Sequence, residues 1–184
     1  MTLTHNLEID GKRLLVADNI LQHDYLDGLV RRFYNAPFVK NEVGRPDTAA
    51  FPHWAHELDI KELDAQPIWK HTVNFVNNYL GANSFKPYRS YVNYGSFTDP
   101  MFSHVDATNH ELTCLWYIVP KWHIDWAGET LFFNQQNEIG FACTPKPGRL
   151  VVFDSRIMHS GRPPSIVSQF SRFTLAFKME KVTQ

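Results

Sequence analysis

Residues 111–119 read Glu-Leu-Thr-Cys-Leu-Trp-Tyr-Ile-Val, and Pro120 ends the run. A short, continuous apolar stretch of β-branched and aromatic residues, closed by a proline, is the signature of a strand buried on both faces. The chain carries the same signature on either side of it. YRSYVNY (88–94) precedes it, and TLFFN (130–134), IGFAC (139–143), RLVVF (149–153) and RFTLAF (172–177) follow. Pro145-Lys146-Pro147-Gly148 marks a turn between two of these strands. Before Pro87 the apolar period is that of a helix. Residues 20–34 place Ile20, Leu21, Tyr25, Leu29, Phe33 and Tyr34 on one stripe, with Asp18 or Asn19 as the cap and Ala36-Pro37 as the stop. Pro67 opens a second helix through Ile68, Trp69, Val73, Phe75, Val76 and Leu80, and Gly81 closes it. Residues 7–17 read as a hairpin turning at Asp10-Gly11.

Two helices followed by about eight strands predict a mainly β fold, a sandwich or barrel braced by N-terminal helices. No linker composition interrupts it. The expectation is one domain over 1–184, with helical support over 1–86 and a catalytic barrel core over 87–180. Residues 36–66 look less regular. They form either a lid or binding loop, carrying Arg45, His53 and Trp54, or a surface excursion that packs its aromatics on the helices.

Composition narrows the class. The 184 residues carry a net charge of −1, so no global field favours nucleic acid. No apolar run is long enough for a membrane span, and the N-terminus lacks a leader pattern. The two cysteines, Cys114 and Cys143, lie far apart in apolar runs and read as buried thiols in a reducing cytoplasm. Composition does not set the oligomeric state.

His104-Val105-Asp106 holds the chemistry. In an extended segment, residues two apart point to one side, so an imidazole and a carboxylate converge. With 9 histidines in the chain such a pair arises easily by chance, and His123-Ile124-Asp125 is a second one. The second pair lies between Pro120 and Gly128, in a connection where no pleat fixes both side chains. The first pair is therefore the better ligand pair, and His123, with Trp122 and Trp126, reads as a loop or substrate contact. His159 is the best candidate for the third ligand, the alternative being a solvated histidine in a Ser-Gly-Arg-Pro-Pro turn. Residues 149–153 form a strand, and the turn Asp154-Ser155-Arg156 would send Ile157-Met158-His159 back beside it. Two histidines and a carboxylate on one face of a metal leave positions open, as in non-haem Fe(II) oxygenases. Arg172 opens an apolar strand, where a cation needs an anion. It reads as a clamp for a dianionic ligand, with the Thr174 hydroxyl on the same side. Arg45 or Arg156 is a candidate for a substrate carboxylate.

Together these residues resemble the Fe(II)/2-oxoglutarate-dependent dioxygenases, most closely the prolyl 4-hydroxylase-like branch. The pattern is H-x-D, a distal histidine and then a basic residue, matched by His104, Asp106, His159 and Arg172. Tyr94 stands where the branch carries a tyrosine that touches the cosubstrate. CLWYIVP (114–120) is similar to the strand carrying a second, here Tyr117. WAGETLFFN (126–134) is similar to the W-x-G-G-E-L segment, with Ala127 in place of the first glycine. KPGRLVVFDSRIMHSGRPP (146–164) is similar to the segment that delivers the distal histidine. The interval from His159 to Arg172 is longer than usual.

The resemblance implies a double-stranded β-helix, a jelly-roll, cupin-like barrel. It implies Fe(II) as metal, 2-oxoglutarate and O2 as cosubstrates, ascorbate as a candidate reductant, and hydroxylation of an unactivated C–H bond with release of succinate and CO2. Desaturation or ring formation uses the same ligands. The short chain favours a small-molecule substrate, such as an amino acid or biosynthetic intermediate, over peptidyl proline. A non-oxidative metal enzyme of cupin type, or a binding module that has lost turnover, are the competing readings. Alanine at any of the three ligands is expected to remove metal-dependent activity and leave the barrel folded.

Overall fold

The computed structural model describes residues 1–182. Strands β1 (Thr2–Ile9) and β2 (Lys12–Asp18) form the first hairpin. Asp10 and Gly11 both take positive φ, 50° and 71°, as a two-residue turn of this kind demands. Helix α1 (His23–Tyr34), strands β3 (Val39–Glu42) and β4 (His53–Leu58), and helix α2 (Pro67–Leu80) follow. The remaining strands are β5 (Phe85–Gly95), β6 (Leu112–Tyr117), β7 (Thr130–Phe133), β8 (Ile139–Cys143), β9 (Leu150–Asp154), β10 (His159–Gly161) and β11 (Arg172–Lys181).

They make two antiparallel sheets. The larger runs β1-β2-β9-β6-β11-β5-β4-β3, and the smaller runs β10-β7-β8. The middle of the larger sheet is buried on both sides, which is why β6 and β11 read as continuous apolar runs. One core joins its outer face, including Trp116, Phe173 and Phe177, to α1 and α2. The other joins its inner face, including Tyr117, Phe153 and Ala176, to Phe132 and Cys143 of the smaller sheet. Cys114 and Cys143 are buried, unpaired thiols. Among the described residues no helix is long and apolar enough to cross a membrane.

Three expectations are corrected. Residues 36–66 are not a loop. They supply β3 and β4, which extend the larger sheet at the β5 edge. The polar, charged composition that hid them is that of strands at and next to a sheet edge, β3 being the edge itself. Helix α1 starts at His23, and neither Asp18 nor Asn19 caps it. Asn19 sits at φ 59°, while Asp18 accepts two bonds from the Arg149 guanidinium at 2.7 and 2.8 Å. Finally, His159 does not return beside β9. β10 crosses to the smaller sheet and pairs with β7, His159 opposite Phe132.

Candidate metal centre

The crossing of β10 builds the site. His104 and His159 face each other in an antiparallel bridge, each backbone N–H donating to the other's carbonyl at 2.9 Å. The Asp106 N–H donates to Ser155 O, also at 2.9 Å, and ties the next residues to the turn after β9. Three side chains therefore converge. His104 Nε2 lies 3.3 Å from Asp106 Oδ1, and His159 Nε2 lies 3.5 Å from Asp106 Oδ2. One donor atom from each residue falls within 4.8 Å of the others.

The remaining ring nitrogens fix the tautomers. His104 Nδ1 lies 3.0 Å from Phe102 O, and His159 Nδ1 lies 2.9 Å from Ile157 O. A carbonyl accepts only, so each Nδ1 carries the proton and each Nε2 offers its lone pair to the centre. This is how metal-binding imidazoles are oriented. Burial pushes His159 down to about 4, despite the opposing pull of Asp106, so its ring stays neutral near pH 7. Burial alone would raise the Asp106 carboxyl. The Lys178 ammonium outweighs it and holds the group well below the usual carboxylate range. The donor set suits a divalent cation of intermediate hardness with open positions.

One pH dependence follows. The folded-state value of His159 lies below its unfolded value of 6.5. The unfolded chain then binds the extra proton between about pH 6.5 and 4, so stability falls as pH drops through that window. Metal-free protein should lose up to about 3 kcal/mol from this group between pH 7 and 4. Denaturant midpoints across the range check it, and a flat profile would place a charged ring in the fold.

The same cavity extends to Arg172, Thr174 and Thr130. Arg172 is 2% exposed. Its Nε donates to Gly128 O at 2.7 Å and its Nη2 to Thr130 Oγ1 at 2.9 Å. The Tyr117 ring lies 5.4 Å from the guanidinium, and its hydroxyl bonds Thr130 Oγ1 at 2.6 Å and Cys143 O at 3.0 Å. Tyr117 thus holds Thr130 and supports Arg172. Among the described residues no carboxylate pairs with Arg172, so a buried cation faces the cavity with its charge uncompensated.

Other candidates fall elsewhere. Tyr94 packs between Phe38 and Phe173, ring centroids 5.6 Å from each, on the helix-facing side of β5. It does not line the cavity. Tyr91 and Asn93, of the opposite parity, do. Trp54, opposite Tyr94 in register, also faces outward, with Lys40 over its ring. His53 does line the cavity, half-buried, and burial lowers its pKa. Arg45 lines neither cavity beside the metal ligands and is bound to Asp47 and to Ser103 O at 2.7 Å. Arg156 is occupied by Asp154 and lines a different cavity with Arg13 and Tyr79. Trp122 donates to Ala127 O and packs on Gly128, behind Arg172, and Trp126 packs on Trp122 and Phe170.

His123 and Asp125 are exposed on a short 3-10 turn, and the backbone N–H of Asp125 donates to His123 Nδ1. His123→Ala is therefore expected to bind Mn(II) with wild-type affinity by calorimetry. Loss of the metal there would mean that the other pair is the ligand pair.

Sequence reasoning missed Thr113 and Lys178. Both face the cavity, directly opposite each other on β6 and β11. The period-2 rule, carried along β11 from Arg172 and Thr174, reaches Ala176 and Lys178. The signal was present, but β11 runs past Phe177, where the apolar run ends.

Comparisons with known proteins agree with this geometry. A family model described as the 2OG-Fe(II) oxygenase superfamily matches residues 85–178. No relative is matched among the curated proteins. Solved structures are similar in fold. A Pseudomonas putida prolyl-4-hydroxylase superposes with a TM-score of 0.64 at 16% identity, covering 92% of each chain. A Trichoplax adhaerens prolyl hydroxylase, in complex with a hypoxia inducible factor peptide fragment, gives 0.67 at 17% identity over 90% of this chain and 82% of its own. HygX from Streptomyces hygroscopicus, with nickel and 2-oxoglutarate bound, gives 0.66 at 10% identity over 90% and 82%.

Proposed function

The chain belongs to the 2OG-Fe(II) oxygenase superfamily, and from that premise we propose that it hydroxylates an unactivated C–H bond of a small polar molecule, such as an amino acid or biosynthetic intermediate. His104, Asp106 and His159 would hold Fe(II), the two imidazoles offering Nε2 and the aspartate a carboxylate oxygen. Arg172 receives the far carboxylate of 2-oxoglutarate, aided by the Thr174 hydroxyl, with Tyr117 fixing the wall behind it. Iron held there would supply the oxidising power from O2, with 2-oxoglutarate as the co-reductant that ends as succinate and CO2. The protein's part is to orient the ligands, exclude water from the buried cavity and present one C–H bond.

A second cavity supports the small polar substrate. It has a volume of about 270 Å³ and shares His53, Asn93, His104, Asp106 and Lys178 with the first. Its other walls include Glu42, Tyr88 and Arg89, and Arg89 is bonded to Glu42 at 2.7 and 3.1 Å. Walls of paired charge and hydroxyl suit a zwitterion of modest size. By contrast, the aromatic groove of Phe38, Trp54 and Tyr94 lies on the outer face, away from the metal ligands. A non-oxidative metal enzyme would leave Arg172 without an anion. Two unpaired thiols support a reducing, cytoplasmic setting. We read the chain as one catalytic unit; the expected division into helical support over 1–86 and a core over 87–180 gives way to one in which α1 and α2 back a sheet that takes β1–β4 from the first part and the metal-site strands from the second.

The test begins with an anaerobic titration of the Fe(II)-loaded protein with 2-oxoglutarate, watching for the visible charge-transfer band of the chelate. A succinate screen then runs over free amino acids, related intermediates and proline-containing peptides, with ascorbate as reductant. Turnover confined to small molecules supports the proposal. Turnover confined to peptides would replace it with a protein hydroxylase.

A further inference from the structure

Lys178 is a buried cation beside the metal ligands, 5% exposed, on the same face of β11 as Arg172 and Thr174. Its Nζ pairs with Asp106 Oδ2 and lies 3.2 Å from Thr113 Oγ1. The Thr113 hydroxyl in turn donates to the same Asp106 Oδ2 at 2.6 Å. That oxygen, which also lies 3.5 Å from His159 Nε2, is thus engaged by an ammonium and a hydroxyl. The other, Oδ1, faces His104 Nε2 at 3.3 Å, and that nitrogen carries no proton because Nδ1 holds it against Phe102 O. Among the described residues Oδ1 therefore has no donor.

We propose that Lys178 is a positioning residue for the metal: with Thr113 it holds Asp106 Oδ2, so that the carboxylate meets the cation through Oδ1. A carboxylate free to rotate could offer either oxygen or both and would occupy a position that the cosubstrate needs. Clamping Oδ2 leaves a single orientation, and Lys178 and Thr113 are set by register rather than by a loop. The inference rests on the reading of His104, Asp106 and His159 as the metal site.

The test measures Mn(II) binding to the full chain without cosubstrate, in wild type, Lys178→Met, Lys178→Arg and Thr113→Val. Loss of a hydrogen-bond partner to a metal ligand weakens binding by about tenfold or more. Lys178→Met is expected to lose at least that much, and Lys178→Arg to recover most of it. The ligand-field spectrum of the Co(II)-loaded protein should change in Lys178→Met and return in Lys178→Arg. Thr113→Val keeps the charge and removes only the orienting bond, so it carries the test if Lys178→Met does not fold. It too should bind Mn(II) more weakly and alter the spectrum. Wild-type or tighter affinity in Lys178→Met, with an unchanged spectrum in Thr113→Val, would overturn the inference and leave Lys178 a counter-charge only. Failure of the wild type to bind Mn(II) would instead remove the metal-site reading itself.

Discussion

Asp106→Ala is expected to lose all metal-dependent activity and, in addition, about 3–5 kcal/mol of folding stability. The first loss follows from the ligand set. The second follows from Lys178, which is buried and paired with Asp106. Thr113 donates to the same oxygen. Removing the carboxylate leaves an ammonium in the interior with no anion, and the hydroxyl loses its acceptor. The sequence-based expectation is that alanine at each ligand leaves a folded barrel; the buried Lys178–Asp106 pair adds that Asp106→Ala leaves the least stable one. His159→Ala removes packing against Phe132 and Phe153 but strands no charge. Denaturant unfolding of the metal-free variants should therefore rank Asp106→Ala as the least stable. The double variant Asp106→Ala, Lys178→Met should recover much of the loss, because it removes both charges together. If Asp106→Ala unfolds at the wild-type midpoint, the pair does not form in solution.

The second large effect belongs to Arg172. Each hydrogen bond between charged groups contributes about 1.5–3 kcal/mol. A guanidinium that grips a carboxylate through two of them therefore accounts for roughly a hundredfold to ten-thousandfold in affinity. Arg172→Met should raise the Kd for 2-oxoglutarate by that factor in the anaerobic titration, with Mn(II) binding unchanged. Its effect on stability should be opposite in kind to that of Asp106→Ala. Arg172 has no carboxylate partner among the described residues, so the substitution removes an uncompensated buried charge instead of creating one. A wild-type Kd would move the clamp to another group.

Much of this molecule is legible in its sequence. The Asp10-Gly11 turn, the bounds of α2 from Pro67 to Gly81, and the strands around residues 111–119 follow from local rules of dihedral preference and periodicity. His104, Asp106, His159 and Arg172 stand out because their chemistry is concentrated and their spacing matches a family pattern. Which way the side chains face was harder to read. β6 and most of β11 are buried on both sides, so their sequences do not alternate and their parity cannot be read from hydrophobicity. Tyr94 was placed by its distance from His104, but pairing it with Phe173 turns it to the helix side and brings Tyr91 and Asn93 inward.

Local sequence therefore determined most of the elements and the candidate site residues. Tertiary structure decided that His159 crosses to the smaller sheet to face His104, and that Lys178 and Thr113 meet over Asp106. Strand register is set by hydrogen bonds between segments distant in the chain, and it is register that chooses which buried side chains share a cavity.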